Sequence, residues 1–174
     1  MAPKAKIFLI FLVCAAPIAL ATAAWHFRWG TPATANYGEL IEPRALDAPP
    51  FRALRGKWLL VTFDAAACDA RCEEKLFVVR QVRRAQGAEA ERIERLWLVT
   101  DGGQPRPRLL AAIEGSHVEP ARAAGSLQAF PGELERHIYL VDPLGNLMMR
   151  YPAAPRPAGM IKDFERLLKV SRVG

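Results

Sequence analysis

Long runs of basic residues are missing from this sequence, although its formal net charge is +6 and its pI is near 9.6. The arginines are scattered beside glutamates or in loops, with no aromatic residues interleaved among them. A glycine-rich phosphate loop is also missing, because the stretch "DGGQP" (101–105) lacks the spacing of a nucleotide-binding motif. The positive charge is therefore interpreted as a solvated surface, and no nucleic-acid partner is predicted.

Cysteine is scarce, and the positions of the three cysteines exclude two common thiol motifs. The chain has no C-x-x-C pair, and Ala65 stands three residues before Cys68, where a thiol peroxidase favours threonine. Cys68 and Cys72 lie together in "FDAAACDARCEEKLF" (63–77), whereas Cys14 lies apart from them. A C-x-x-x-C pair leaves open a structural disulfide, a redox dithiol and a metal site.

Apolar runs long enough to cross a membrane are also rare, and the chain has one, from Ile7 to Ala24. At 1.5 Å per residue a helix over this run is about 27 Å long, close to the hydrocarbon thickness of a bilayer. Lys4 and Lys6 precede the run and predict a cytoplasmic N-terminus. We therefore expect a single-pass inner-membrane protein whose C-terminal domain faces the periplasm. Cys14 is then a small apolar residue of the membrane helix.

A cleaved signal peptide is the alternative, because "ATAA" (21–24) offers small residues to a peptidase. We favour an uncleaved anchor, because the run is longer than a usual signal-peptide core. Three aromatic residues also follow it like an interfacial belt, namely Trp25, Phe27 and Trp29.

The chain is predicted to have three parts: a membrane anchor (1–29), a tether with irregular structure (30–50) and one folded domain (51–174). Periodicity in the domain predicts alternating strands and helices. The predicted order is strand 57–63, helix 69–86, strand 95–101, helix 106–115, hairpin 137–152 and helix 158–172. Early parallel pairing, a terminal hairpin and helices on both faces predict an α/β thioredoxin-like sandwich.

In this register Cys68 follows the first strand and Cys72 lies in the first helical turn. The i, i+4 spacing allows either a disulfide or a shared soft ion. The helix N-terminus and Arg71 favour thiolates, and Glu73 and Glu74 oppose that effect. Two thiolates alone suit linear Cu(I), whereas Cu(II) or Zn(II) requires a third, nitrogen ligand.

The motifs around the pair resemble those of the Sco/SenC family. The strongest is "GKWLLVTFDAAACDARC" followed by "EEKL", with its C-x-x-x-C after a "GKW" strand. "LWLVTD" (96–101) is similar to the family's second strand, and "IYLVDPLGNLMMRYP" (138–152) is similar to its hairpin. The resemblance covers roughly residues 38–172 and includes the anchor.

The resemblance implies a membrane-anchored, thioredoxin-like factor that assembles the copper centre of cytochrome c oxidase. Such a factor delivers Cu(I) or reduces the cysteines of the oxidase subunit, here through Cys68 and Cys72. Two positions depart from the family pattern: Glu73 replaces a proline, and Leu134 stands where the family has its metal-binding histidine. His137 is the nearest substitute ligand, although a shift of three residues along a strand reverses the side-chain direction.

Two alternatives remain open at this point. One is a general thiol–disulfide oxidoreductase without copper, in which Cys68 attacks and Cys72 resolves the mixed disulfide. The other is a tethered scaffold without chemistry. His117 and His26 are interpreted as surface and interfacial residues, and Asp64 as a strand-end cap or a proton acceptor near the thiols.

Overall fold

The computed structural model describes residues 3–27, 36–171 and 173, and it divides the chain at residue 35 into two compact units. In the first unit, helix α1 runs from Pro3 to His26. Its Leu9–His26 segment is long and apolar enough to cross a membrane, a test that an N-terminal signal sequence also passes. Trp29 and the first part of the predicted tether lie outside the described residues.

The second unit is built on one six-stranded sheet with the order β1-β6-β5-β2-β3-β4. Strands β2 and β3 pair in parallel, as do β3 and β4, and the other neighbours are antiparallel. The strands are β1 (Glu39–Ala45), β2 (Trp58–Asp64), β3 (Ile93–Val99), β4 (His117–Pro120), β5 (His137–Val141) and β6 (Asn146–Pro152). The helices are α2 (Pro49–Ala53), α3 (Ala70–Ala85), α4 (Pro107–Ala112) and α5 (Pro157–Val170).

The expectation of irregular structure over residues 36–50 was wrong. Strand β1 occupies this segment and pairs with β6 at the edge of the sheet, and the short helix α2 follows it. The sequence did not predict this strand, because nearly all of it is exposed and it therefore lacks the apolar alternation of a half-buried strand. It also contains Pro43, a residue that is found in edge strands. Its start is fixed by Asp163 of α5, which accepts hydrogen bonds from the backbone N–H groups of Tyr37 (3.0 Å) and Gly38 (2.8 Å).

The two faces of the sheet carry separate apolar layers. Alternate residues such as Phe63, Leu98 and Tyr139 pack on one face with Phe130, beneath α2 and short 3₁₀ turns. The residues between them pack on the other face against α3, α4 and α5. Helices do cover both faces as predicted, but the three longest helices of this unit share one face.

The predicted hairpin is present between β5 and β6. Asp142 accepts hydrogen bonds from the N–H groups of Leu144 (3.0 Å) and Asn146 (2.7 Å), and Gly145 has a φ of +92°. A positive φ at this position was expected from the sequence, because glycine adopts it without a Cβ clash.

Candidate functional site

The cysteine pair lies at the junction between β2 and α3, where the sequence predicted it. Cys68 and Cys72 form a disulfide with a Cα–Cα distance of 5.2 Å. Both residues are buried, at 4% and 1% exposure, and they pack with Leu76 and Trp97. The sulfurs are therefore covered, although Ala67, Asp69 and Ala70 beside them in the chain are exposed.

The loop that carries Cys68 is held in a tight conformation. Cys68 has a φ of 43°, a left-handed value that no other described non-glycine residue shows, and such a conformation costs a β-carbon residue roughly 1–2 kcal/mol. Its backbone N–H donates to Ala65 O at 3.0 Å. Asp101, after β3, accepts the N–H of Ala66 at 3.0 Å. The pKa of Asp101 is lowered by this bond and by the N–H of Gly103.

The N-terminus of α3 is capped immediately beside the disulfide. Asp69 precedes the helix, and its carboxylate accepts the backbone N–H of Cys72 at 2.9 Å. Cys72 therefore occupies the first turn, where the unpaired N–H groups and the helix dipole stabilise an anionic thiolate. The capping carboxylate partly offsets this effect by its own charge.

A buried ion pair underlies the cysteine loop and was not predicted from the sequence. Asp64, the last residue of β2, pairs with Lys75 of α3, and their side chains are 3% and 0% exposed. Lys75 Nζ also donates to Phe63 O (3.1 Å) and to Glu135 O (2.6 Å). Burial raises the pKa of Asp64 and lowers that of Lys75, and their mutual attraction opposes both shifts.

A signal for Lys75 was present in the helix pattern. It lies three residues after Cys72 and four before Val79, on the apolar stripe of α3. A charged residue on a buried stripe requires a partner, and Asp64 supplies it. Asp64 is therefore an ion-pair partner. The sequence analysis interpreted it as a strand-end cap or a proton acceptor and did not include this role.

Basic side chains border the disulfide, and acidic side chains form ion pairs with them. Arg71 faces Asp64 at 3.7 Å and Glu135 at 3.7 Å. Arg106 pairs with Glu73 at 2.7 Å and donates to Cys68 O at 3.1 Å. Glu73, which replaces the family's proline, thus holds an arginine against the cysteine loop.

The described contacts of His137 and Leu134 do not include the cysteine pair. His137 Nδ1 contacts Glu133 O at 2.8 Å, and its ring centroid lies 5.9 Å from that of Tyr139. Tyr139 packs on the face opposite α3, and Leu134 packs in the same layer. A metal-ligand role for His137 remains a prediction, and a histidine at position 134 is the change that the family pattern would require.

The other predicted candidates lie elsewhere. His117, on the edge strand β4, contacts Glu94 at 3.2 Å, and His26 ends α1. Over residues 3–27, 36–171 and 173, no group of three or more His, Cys, Asp or Glu side chains is arranged to hold a metal ion. The two sulfurs alone suit Cu(I) in linear coordination, and they do not suit Cu(II) or Zn(II).

Comparison with known proteins gives a family and a fold. A family model described as the transmembrane-like, thioredoxin-like, C-terminal domain matches residues 58–171. No curated protein matches the sequence.

Solved structures with the same fold include apo Sco1 from Thermus thermophilus, with 19% identity, a TM-score of 0.58 and coverage of 79% of this chain and 99% of that one. Copper-bound ScoI from Bradyrhizobium japonicum has 20% identity and a TM-score of 0.51, with 74% and 99% covered. Copper-bound yeast Sco1 has 14% identity and a TM-score of 0.58, with 82% and 96% covered. The thioredoxin-like fold is confirmed, and the resemblance to Sco/SenC proteins is confirmed at the level of that fold.

Proposed function

The chain belongs to the family of transmembrane-like, thioredoxin-like C-terminal domains, and from that premise we propose that it is a Sco-type assembly factor for cytochrome c oxidase. Its chemistry is thiol–disulfide exchange at Cys68 and Cys72, directed at the cysteines of a copper-binding oxidase subunit. The observation that carries this proposal is the disulfide at the capped N-terminus of α3.

The thiol–disulfide exchange takes place in two steps. In the reduced protein, the Cys68 thiolate attacks one sulfur of the partner's disulfide, forms a mixed disulfide and releases the partner's other sulfur as a thiolate. The Cys72 thiolate then attacks Cys68, which closes the Cys68–Cys72 disulfide and releases the second partner thiolate. The partner gains two electrons and the protein loses two, and a dithiol donor protein outside the membrane returns them.

Copper is a second candidate substrate of the same residues. The two thiolates supply a linear Cu(I) site, so Cu(I) is expected as cargo in transit and not as a resident ion. The absence of a third ligand near the sulfurs, among the residues that the structure describes, favours exchange chemistry over tight copper storage.

The location supports this chemistry. An uncleaved α1 would hold the domain at the inner membrane, and Lys4 and Lys6 favour a periplasmic domain. Disulfides persist in that oxidising compartment and not in the cytosol.

The test uses the full chain in a strain that lacks its own copy. Cys68→Ser and Cys72→Ser are expected to abolish formation of the oxidase copper centre, measured by its optical spectrum and by oxygen consumption. Cys14→Ser is the matched control, because Cys14 is a free, exposed cysteine of α1. If both Ser variants support a normal oxidase, the proposal is wrong.

Copper transfer is separated from exchange with purified protein. The reduced full chain in detergent is titrated with Cu(I) under anaerobic conditions, and its disulfide is titrated against defined thiol buffers. We expect a reversible disulfide and copper binding that His137→Ala leaves unchanged. If His137→Ala releases copper, the histidine is a ligand and the carrier role takes precedence.

A further inference from the structure

A groove lies beside the disulfide between α3 and α4, with a volume of about 710 Å³. Its apolar lining includes the buried Leu109 and Ile113, together with Phe77, which is 56% exposed although it lies on a helix of the folded domain. The first turn of α3 reaches one end of the groove through Ala70. An exposed aromatic side chain in a concave, partly apolar surface is typical of a binding site.

The groove carries charges of both signs. Glu73 neutralises Arg106, and Glu74 and Arg108 also line the groove, with opposite charges. At the other end lies Arg80, for which the described residues provide no carboxylate partner.

A buried arginine reinforces the positive end. Arg95 of β3 is 4% exposed, and its one hydrogen bond is from Nη2 to Glu114 O, at 2.8 Å. Its Nε and Nη1 atoms are buried without a partner among the described residues. Burial lowers the pKa of Arg95, the charges of Arg83 and Arg80 act in the same direction, and the charge of Glu94 opposes them. Three arginines against one carboxylate leave this end positive.

We propose that this groove binds an extended segment of the partner polypeptide, with an apolar side chain against Phe77 and an acidic side chain at Arg80. The segment's cysteine then lies at the disulfide end, and its acidic side chain lies at the other end. This inference rests on the proposed function and names the recognition surface that it uses.

The helix sets the spacing of these features along the partner. Arg80 follows Cys72 by eight residues of α3, a distance of about 12 Å at 1.5 Å per residue. An extended chain rises about 3.3 Å per residue, so the acidic residue is expected about four positions from the cysteine.

The test measures exchange with blocked probe peptides whose single cysteine is activated as a mixed disulfide with 5-thio-2-nitrobenzoate. Each peptide has a leucine two positions from the cysteine and either Glu or Gln four positions away, on one side of it or the other. The reduced full chain in neutral detergent attacks the peptide sulfur and releases the coloured thiolate, and Cys72 then resolves the complex. Binding of matching peptides with Ser in place of Cys is measured separately by fluorescence anisotropy.

We expect the Glu peptide to react and bind about fivefold better than the Gln peptide at low salt, on one side of the cysteine. Arg80→Gln should reduce this ratio to about one, as expected for loss of a single charge contact. Arg84→Gln, an exposed change one turn further along α3, should leave the ratio unchanged. Phe77→Ser should slow both peptides about fivefold through lost apolar contact, while the free reagent 5,5′-dithiobis(2-nitrobenzoate) reacts equally with every variant.

A ratio near one in the wild type for both placements would overturn the groove proposal, and so would equal losses in Arg80→Gln and Arg84→Gln. The proposed function fails separately, if no disulfide reagent or peptide is exchanged. In that case a retained Glu preference of the Ser peptides would still support the groove.

Discussion

Two basic side chains, Lys75 and Arg95, are buried on the same face of the sheet, and the protein treats them in opposite ways. Lys75 is completely buried and pairs with Asp64, with two backbone carbonyl oxygens completing its contacts. Arg95 is 4% exposed and has one carbonyl partner, and the charges that act on it are those of Arg80, Arg83 and Glu94.

The two buried charges act on different parts of the molecule. The contacts of Lys75 join β2, α3 and the 3₁₀ turn at Leu134–Arg136, so this pair stabilises the scaffold under the cysteine loop and contributes little net field. Arg95 joins only β3 to the end of α4, and its charge remains available to the groove. Burial of a charge costs free energy in both places. Among the described residues, Lys75 has a carboxylate within ion-pair distance, whereas Glu94 attracts Arg95 without such a contact.

The largest expected effect comes from breaking the paired site. Lys75→Met removes the buried partner of the Asp64 carboxylate and leaves only the half-exposed Arg71 at 3.7 Å, and we expect the free energy of unfolding to fall by about 3–5 kcal/mol. Chemical unfolding of the full chain in detergent, followed by circular dichroism, measures this loss. Lys162→Met, an exposed change on α5, should alter stability by less than about 0.5 kcal/mol. A loss in Lys75→Met as small as that in the control would contradict the assignment.

The pH dependence of that variant gives the next effect. Burial already raises the pKa of Asp64, and removing Lys75 deletes a bond and a charge that lower it. A raised folded-state pKa contributes stability that is present below the unfolded value of 3.8 and is lost as the pH rises through the folded-state value.

The penalty of Lys75→Met should therefore shrink as the pH falls from neutral through the raised pKa of Asp64. Unfolding curves over that range measure the change. In Asp64→Asn/Lys75→Met the dependence should disappear and most of the stability should return. A penalty that stays constant on acidification would show that Asp64 is not the source of the loss.

The unpaired site should respond far less. Arg95→Met removes one carbonyl bond and the attraction to Glu94, but it also relieves the burial of a charge and its repulsion by Arg80 and Arg83. We expect stability to change by no more than about 1 kcal/mol in either direction. Chemical unfolding beside Lys75→Met measures the contrast. A loss above about 2 kcal/mol would show that Arg95 stabilises the fold as Lys75 does.

The smallest effect tests the coupling between the buried charge and the groove. Arg80→Gln removes a repulsive neighbour of Arg95 and should stabilise the fold by about 0.3 kcal/mol at low salt. The gain should vanish when Arg95→Met is already present, which a double-mutant cycle measures by thermal unfolding. If Arg80→Gln gives the same gain in the wild type and in Arg95→Met, then Arg80 acts on residues other than Arg95.

The main elements could be predicted from the sequence where their patterns are local. The apolar run before Asp64 and the stripe from Cys72 to Val82 predicted β2 and α3, and they located the cysteine pair at their junction. Strand β1 could not be found in this way, because an exposed edge strand has little apolar periodicity. The short strand β4 was also missed, because its side chains alternate between exposed and half-buried over four residues.

The candidate site was predicted only in part for a related reason. The spacing of Cys68 and Cys72 is a local property of one helical turn, so their proximity followed from sequence. The contact between Asp64 and Lys75 depends on how α3 packs against β2. The contact between Lys75 and Glu135 depends on a turn that lies sixty residues further along the chain. Such contacts depend on long-range packing.

Local sequence patterns were enough to predict the strand–turn–helix that carries the two cysteines, the hairpin turn and the apolar run of α1. Periodicity and the turn chemistry of proline and glycine act between neighbours in the chain and need no tertiary contact. Which buried charge gained a partner depended on tertiary packing, because pairing requires two side chains from different elements to reach the same place. That packing gave Lys75 a carboxylate partner beneath the disulfide and gave Arg95 none within ion-pair distance among the described residues.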